Sequence, residues 1–297
     1  MNRFIALLVF SQFACTSVWF AANAVLPTLI TAGLLPENAL PYLTGAVQLG
    51  FILGTFTFAL LNVADRFSPR YVFLTAALVA AGSTAALLLP NMQYGGMLSL
   101  RLLTGFALAG IYPVGMKIAA DHHPEGLGKA LGFLVGALVL GTAFPHFSQA
   151  FLGQTDWRLV ILSTSVLALL GGLTLGLGTQ DGPHRKAGQK IAPWAFLHVF
   201  RAPKFRSAAF GYFGHMWELY TFWAFVPFLL SAYSAQHALD PLPLSLLAFS
   251  CIAIGMGGCI VFGLISIKKR ARSTCRLGPK PLLTLLPEQP IFLPSTE

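Results

Sequence analysis

Glu218 and His215 stand three residues apart in the apolar segment Phe210–Trp223. On a helix they share a face, with Tyr212 a turn away. A carboxylate beside an imidazole in an apolar medium can take up and release a proton near neutral pH. The competing reading is a hydrogen-bonded structural pair. Arg101 is the only base inside an apolar run, and Gly105, Leu108 and Tyr112 follow it on one helical stripe. A guidanidinium there can hold an anion through two parallel hydrogen bonds, or neutralise Glu218 across a cavity. Otherwise it is a buried structural charge near an interface. Gln12, Thr16, Trp19 and Asn23 form a stripe on the first apolar run. Four polar or amphipathic side chains on one face suit a cavity wall, which Gln48 of the second run can join, or hydrogen bonds between helices. Asp121-His122-His123 reads as a solvated loop, because adjacent histidines do not share a helix face and no Cys or Glu set completes a metal site.

These residues sit in a chain of 297 residues that is 56% hydrophobic and 10% charged, with a mean hydropathy of +0.71. A soluble domain carries about 25% charged residues, so a water-facing shell of this size is excluded. An α-helix needs about 20 apolar residues to cross a bilayer. Eight runs qualify by sequence: Phe4–Ile30, Leu43–Val63, Tyr71–Leu89, Gly96–Ala119, Ala130–Phe151, Leu159–Gly178, Ser207–Tyr233 and Leu244–Ile267. The fold class expected is an all-α membrane protein.

The net charge of +9 raises the question of nucleic acid, but the bases are placed for topology. All of the 19 Lys and Arg except Arg101 and Arg158 fall on one side of the eight runs. Cytoplasmic loops hold that excess, so the amino terminus is expected in the cytoplasm, and no nucleic-acid partner is expected. Cys15, Cys251, Cys259 and Cys275 lack metal-type spacing and read as small packing residues. Gly50-x-x-x-Gly54 and Gly132-x-x-x-Gly136 read as close helix packing. With no nucleophile elbow and no phosphate-binding glycine loop, neither an enzyme nor a cofactor is expected.

Four units follow. Residues 1–178 hold six spans, and 179–206 form a basic linker in which a short amphipathic helix within Ala195–Phe205 lies on the membrane with Trp194 as its anchor. Residues 207–267 add two helices, and 268–297 form a basic, then proline-rich tail that is expected to be disordered.

The second run ends in Leu60–Arg70, where Ala64, Asp65, Arg66 and Arg70 match the loop motif Gly-x-Leu-Ala-Asp-Arg-x-Gly-Arg-Arg between spans two and three of the major facilitator superfamily. Leu61 and Ser68 replace its glycines, and Pro69 stands where the family often has a base. Arg101 and Gly105 match the family's Arg-x-x-x-Gly in the fourth span. With the six-plus-linker layout, the sequence resembles a superfamily member over about residues 1–270. The fifth run resembles only loosely the Gly-Pro-x-x-Gly-Gly signature of the drug antiporters.

The resemblance implies a fold with a complete amino-terminal six-helix bundle and the first two helices of a second half. It also implies secondary transport of a small solute, an anion among the candidates, by alternating access across a lipid bilayer. With Glu218 and His215, the expected coupling ion is a proton. Asp65, Arg66 and Arg70 are expected to latch a cytoplasmic gate, and Gln12, Trp19, Asn23, Arg101, Tyr112, His215 and Glu218 to line the substrate and proton path. The expected location is a bacterial inner (plasma) membrane. Because the superfamily has twelve spans, the chain is expected to be truncated after the eighth, with residues 271–297 coming from a shifted frame or an incomplete gene. The rival expectation is a remnant that does not transport.

Overall fold

The local chemistry of two spans breaks them near their middles. In the first span, Arg3–Thr31, regular helix stops at Thr16 and resumes at Ala21. The Thr16 hydroxyl donates to the Gln12 carbonyl at 2.8 Å and the Ser17 hydroxyl to the Ala14 carbonyl at 2.7 Å. Such back-bonding competes with the helical ladder and bends it. In the fourth span, Tyr94–His122, the interruption covers Ala109–Ile111. Pro113 is its cause, since it has no N–H to give and its ring crowds the Ala109 carbonyl.

The computed structural model describes residues 3–123, 127–153, 155–185, 199–237 and 243–277, of which 266–277 are described by backbone alone. All regular structure among them is helical. The remaining spans of the first half are Ala39–Leu60, Pro69–Leu88, Leu127–Phe151 and Trp157–Gly178. The sixth is capped where the Arg158 N–H donates to the Asp156 carboxylate at 2.9 Å. Pro203–Gln236 is the seventh helix and Leu244–Leu277 the eighth.

Among the described residues, seven helices are long and apolar enough to cross a membrane, one fewer than the eight runs read from the sequence. The seventh helix has the length but not the apolarity. Its middle holds Tyr212, His215, Trp217, Glu218 and Tyr220, and a central charge costs about 2.5–3.5 kcal/mol on insertion scales. The eighth helix runs past Ile267 through the basic residues to Leu277, because the first proline of the tail is Pro279. Helix therefore replaces the expected irregular chain over 268–277. Residues 186–198, with Trp194 and most of the proposed amphipathic helix, and residues 278–297 lie outside the described residues.

Close approach of backbones holds the bundle. Gly50 and Gly54 of the second span face Leu102, Phe106 and Ala109 of the fourth, and Gly105 faces the Val47 carbonyl in return. Gly132 and Gly136 of the fifth span meet Cys259, Gly263 and Met256 of the eighth helix, which runs antiparallel to it. Both glycine pairs thus serve helix packing. Cys15 is buried and donates to the Ala168 carbonyl at 3.3 Å, which fits a packing role; Cys251 is exposed and Cys259 half-buried.

Candidate functional site

Arg101 is wholly buried, and its side chain crosses to the break in the first span. One terminal nitrogen donates to the Val18 carbonyl at 3.0 Å and the other to the Trp19 carbonyl. Interrupting the first span leaves these carbonyls short of helical donors, and the guanidinium supplies two. No ion pair joins Arg101 to Glu218. The anion clamp and the counter-charge to Glu218 are therefore not what the structure assembles at Arg101; it assembles a clamp on a broken helix.

Around the break stands an aromatic layer. Trp19 stacks on Tyr220 of the seventh helix with ring centroids 5.4 Å apart, and Phe51 lies 4.8 Å from Trp19. Trp223 meets Tyr220 and Phe20 edge-on, at 5.4 and 6.1 Å. Tyr112 lies near Tyr212, Tyr220 and Cys259. Tyr220 and Trp223 carry as much of this layer as Trp19 does. Their signal in the sequence was the aromatic density of Phe210–Trp223, not any single spacing.

Several polar atoms here are buried without partners. Both atoms of the Gln12 amide are unpaired, as are Trp19 Nε1, the Asn23 Oδ1 and the Arg101 Nε. The Asn23 amide nitrogen donates to the Thr44 hydroxyl at 2.8 Å. The Gln12 side chain lies against Gly115, one turn beyond Tyr112. Such orphans are uncommon in folded proteins and mark places where water or a ligand belongs. The sequence also did not single out His146, which is buried behind Pro145 with Nε2 unpaired.

Glu218 and His215 are both exposed, and no hydrogen bond or ion pair joins them to each other or to another described residue. The seventh helix turns Tyr220, Trp223, Ala224 and Val226 toward the first half. Glu218 lies on the opposite side, with Phe222 and Phe225, which are exposed. It therefore does not face the Gln12–Trp19–Asn23 stripe.

A second cluster ties the 61–70 loop to the ends of the fourth and sixth spans. Lys117 Nζ meets the Asp65 carboxylate at 2.8 Å and that of Asp121 at 3.4 Å. Ser68 donates to Asp181 at 2.7 Å, and Arg185 holds Asp181 and the Phe67 carbonyl at 3.0 and 2.9 Å. Arg70 donates to the Thr179 carbonyl at 2.7 Å, and Arg66 is exposed. Asp65 thus pairs with Lys117 and not with the neighbouring arginines. Asn62 takes the left-handed turn at φ 50°, a conformation asparagine enters more readily than most residues, so Leu61 does not need the motif's glycine. Asp121 and His122 close the fourth span and are not a solvated loop. Asp121 is buried, and His122 stacks on Phe4 at 3.6 Å because the helix continues to His122.

Comparison with known families gives a match to the Major Facilitator Superfamily over residues 8–286, nearly the whole chain. The chain belongs to the major facilitator superfamily. No individual curated protein matches it. Membership makes it a multi-pass integral membrane protein of a transporter family.

Proposed function

We propose that this chain is a secondary transporter that moves a small solute across the bilayer by alternating access, coupled to protons, with its amino terminus in the cytoplasm. The observation that carries the reading is how the seventh helix meets the first half. Trp223, Ala224 and Val226 are buried against it and Phe228 packs on its second core cluster, whereas Pro203–Trp217 is exposed but for Ala209 and Met216. The seventh helix therefore touches the first half along one half of its length and parts from it along the other, while the eighth helix stays packed on the fifth span from Gly132 and Gly263 to Phe147 and Phe249. A wedge sealed at one end is the form an alternating-access protein takes in one of its two states.

Pairing of Trp19 with Tyr220, and of Phe20 with Trp223, sets the seventh helix parallel to the first span. The open end then lies beside Arg3 and the 61–70 loop, which the topology of the bases puts in the cytoplasm. On this reading the molecule faces inward. The Asp65–Lys117 pair lies within the first half, and Asp181 and Arg185 at the start of the linker tie to its 61–70 loop, so both keep the inner end rigid as the bodies rock. Glu218, among the described residues the one carboxylate at mid-depth of a helix, is the proposed proton carrier, and its accessibility and lack of a partner suit it to exchange a proton.

The test is solute uptake into proteoliposomes with and without a pH gradient. Glu218→Gln is expected to abolish uphill accumulation while leaving counterflow measurable; gradient-driven accumulation at the normal level would remove Glu218 from the mechanism. The rival, a folded chain that does not transport, draws on the bare outer face of the seventh helix, where Trp217 is 80% exposed beside Glu218. Absence of both uptake and counterflow would favour it.

A further inference from the structure

The nature of the solute follows from which charges reach the aromatic layer; the inference rests on the transport reading above. Arg101, the base at mid-depth, has both terminal nitrogens on backbone carbonyls and no exposed surface. Lys117 is held by Asp65 and Asp121. Glu218 lies on the far side of the seventh helix. Neither a free cation nor a free carboxylate among these groups faces Trp19, Tyr220 and Tyr112. An anion entering there would lose its hydration without meeting a countercharge, and for a cation the ring faces offset only a small part of that loss.

What does face the layer is neutral. Tyr112 and Tyr220 are half-buried, Tyr212 is 52% exposed, and the three lie near one another. Flat aromatic faces reward a flat ring laid against them. The Gln12 amide, with an unpaired donor and an unpaired acceptor, lies one turn along from Tyr112, and Trp19 Nε1 is a further unpaired donor. We propose that this is a binding site for an uncharged solute that presents a flat ring and a hydrogen-bonding edge. The ring stacks against Tyr220, and the edge bonds to Gln12 and to the phenols of Tyr112 and Tyr212.

Calorimetric titration of the purified full chain with three probes of one ring and different charge tests this: nicotinamide, nicotinate and the N-methylnicotinamide cation. Nicotinamide is expected to bind at least about tenfold more tightly than either charged probe, since each of those leaves a buried charge or polar group unpaired. Gln12→Leu is expected to weaken nicotinamide about tenfold on the same ground. Tyr112→Phe, which removes one hydroxyl and no packing, gives the same direction of change if Gln12→Leu fails to fold. Tighter binding of nicotinate or of the cation would overturn the proposal, as would binding of none of the three or an affinity unmoved in a folded variant. Binding is read without flux, so a chain that binds nicotinamide but moves no solute would refute transport and leave this site standing.

Discussion

Replacing Gly105 with alanine puts the packing that carries Arg101 to a direct test. Gly105 lies one turn beyond Arg101, where the second span passes against the backbone. A Cβ there would overlap the Val47 carbonyl oxygen and come within 2.8 Å of its carbon and 2.9 Å of the Phe51 nitrogen. These are backbone atoms, so no side-chain rotation relieves the clash. Ordinary contact begins at 3.4 Å, and relieving the overlap with the Val47 oxygen requires the two helices to part by roughly an ångström or more. A gap of about 0.5–1 Å forfeits about a quarter to a half of each dispersion contact along the seam.

Lipid is as apolar as the buried side chains, so no hydrophobic gain offsets the loss. Overpacking costs about 1–3 kcal/mol, and backbone against backbone belongs at the upper end. Alanine's better helix propensity returns about 1 kcal/mol. The net destabilisation expected is about 2 kcal/mol, a fall of roughly 4–8 °C in melting temperature. Thermal unfolding in detergent, followed by tryptophan fluorescence, reads this, with Gly82→Ala as control because a Cβ at Gly82 meets nothing within 4 Å. The control should hold or rise. A Gly105→Ala protein that melts at or above the wild-type temperature would refute the seam as described.

Asp65→Asn is expected to slow transport while changing stability by about 1 kcal/mol or less, since the Lys117 pair keeps 23% exposure on each side chain; initial uptake rates and melting temperature separate the two effects, and an unchanged rate would leave the pair no part in transport. Arg101→Lys leaves one carbonyl of the first-span break without its donor, at a cost of about 1–3 kcal/mol. Its melting temperature should fall, whereas weakened solute binding in a protein of normal stability would show that Arg101 touches solute. A cysteine at Asn38 should react with an impermeant reagent added to intact cells and one at Lys190 should not; the reverse pattern would invert the topology.

The helical fold and the close-packed glycines were legible because span length, apolarity and small-residue spacing are local properties of the chain. The Asp65–Arg70 loop was legible as a motif, but its partners were not. Lys117, Asp181 and Arg185 lie tens of residues away and meet it only when three spans end together. Arg101 misled for a related reason. A buried arginine in an apolar run signals a partner, and sequence offers acidic side chains as candidates, whereas the actual acceptors are the Val18 and Trp19 carbonyls freed by a helix break. The break itself arises from Thr16 and Ser17 bonding back to their own helix, which hydrophobic periodicity does not register. Glu218 and His215 do sit three apart, yet the bulk of Tyr220, Trp223 and Val226 sets which face of the seventh helix is buried, and that choice turns Glu218 away.

Reciprocal labelling at the two ends of the wedge tests alternating access most directly. Tyr212→Cys at the open end and Phe228→Cys at the sealed end would be joined in a chain whose four native cysteines are replaced by alanine. The account predicts that the cysteine at 212 reacts from the cytoplasmic side and the one at 228 from the outside. A bulky reagent on the first, by holding the wedge open, should slow the second by about tenfold or more, because the two reactivities belong to exclusive states. A rate at position 228 that is unaffected by labelling at 212, or a cysteine at 228 that never reacts, would contradict it.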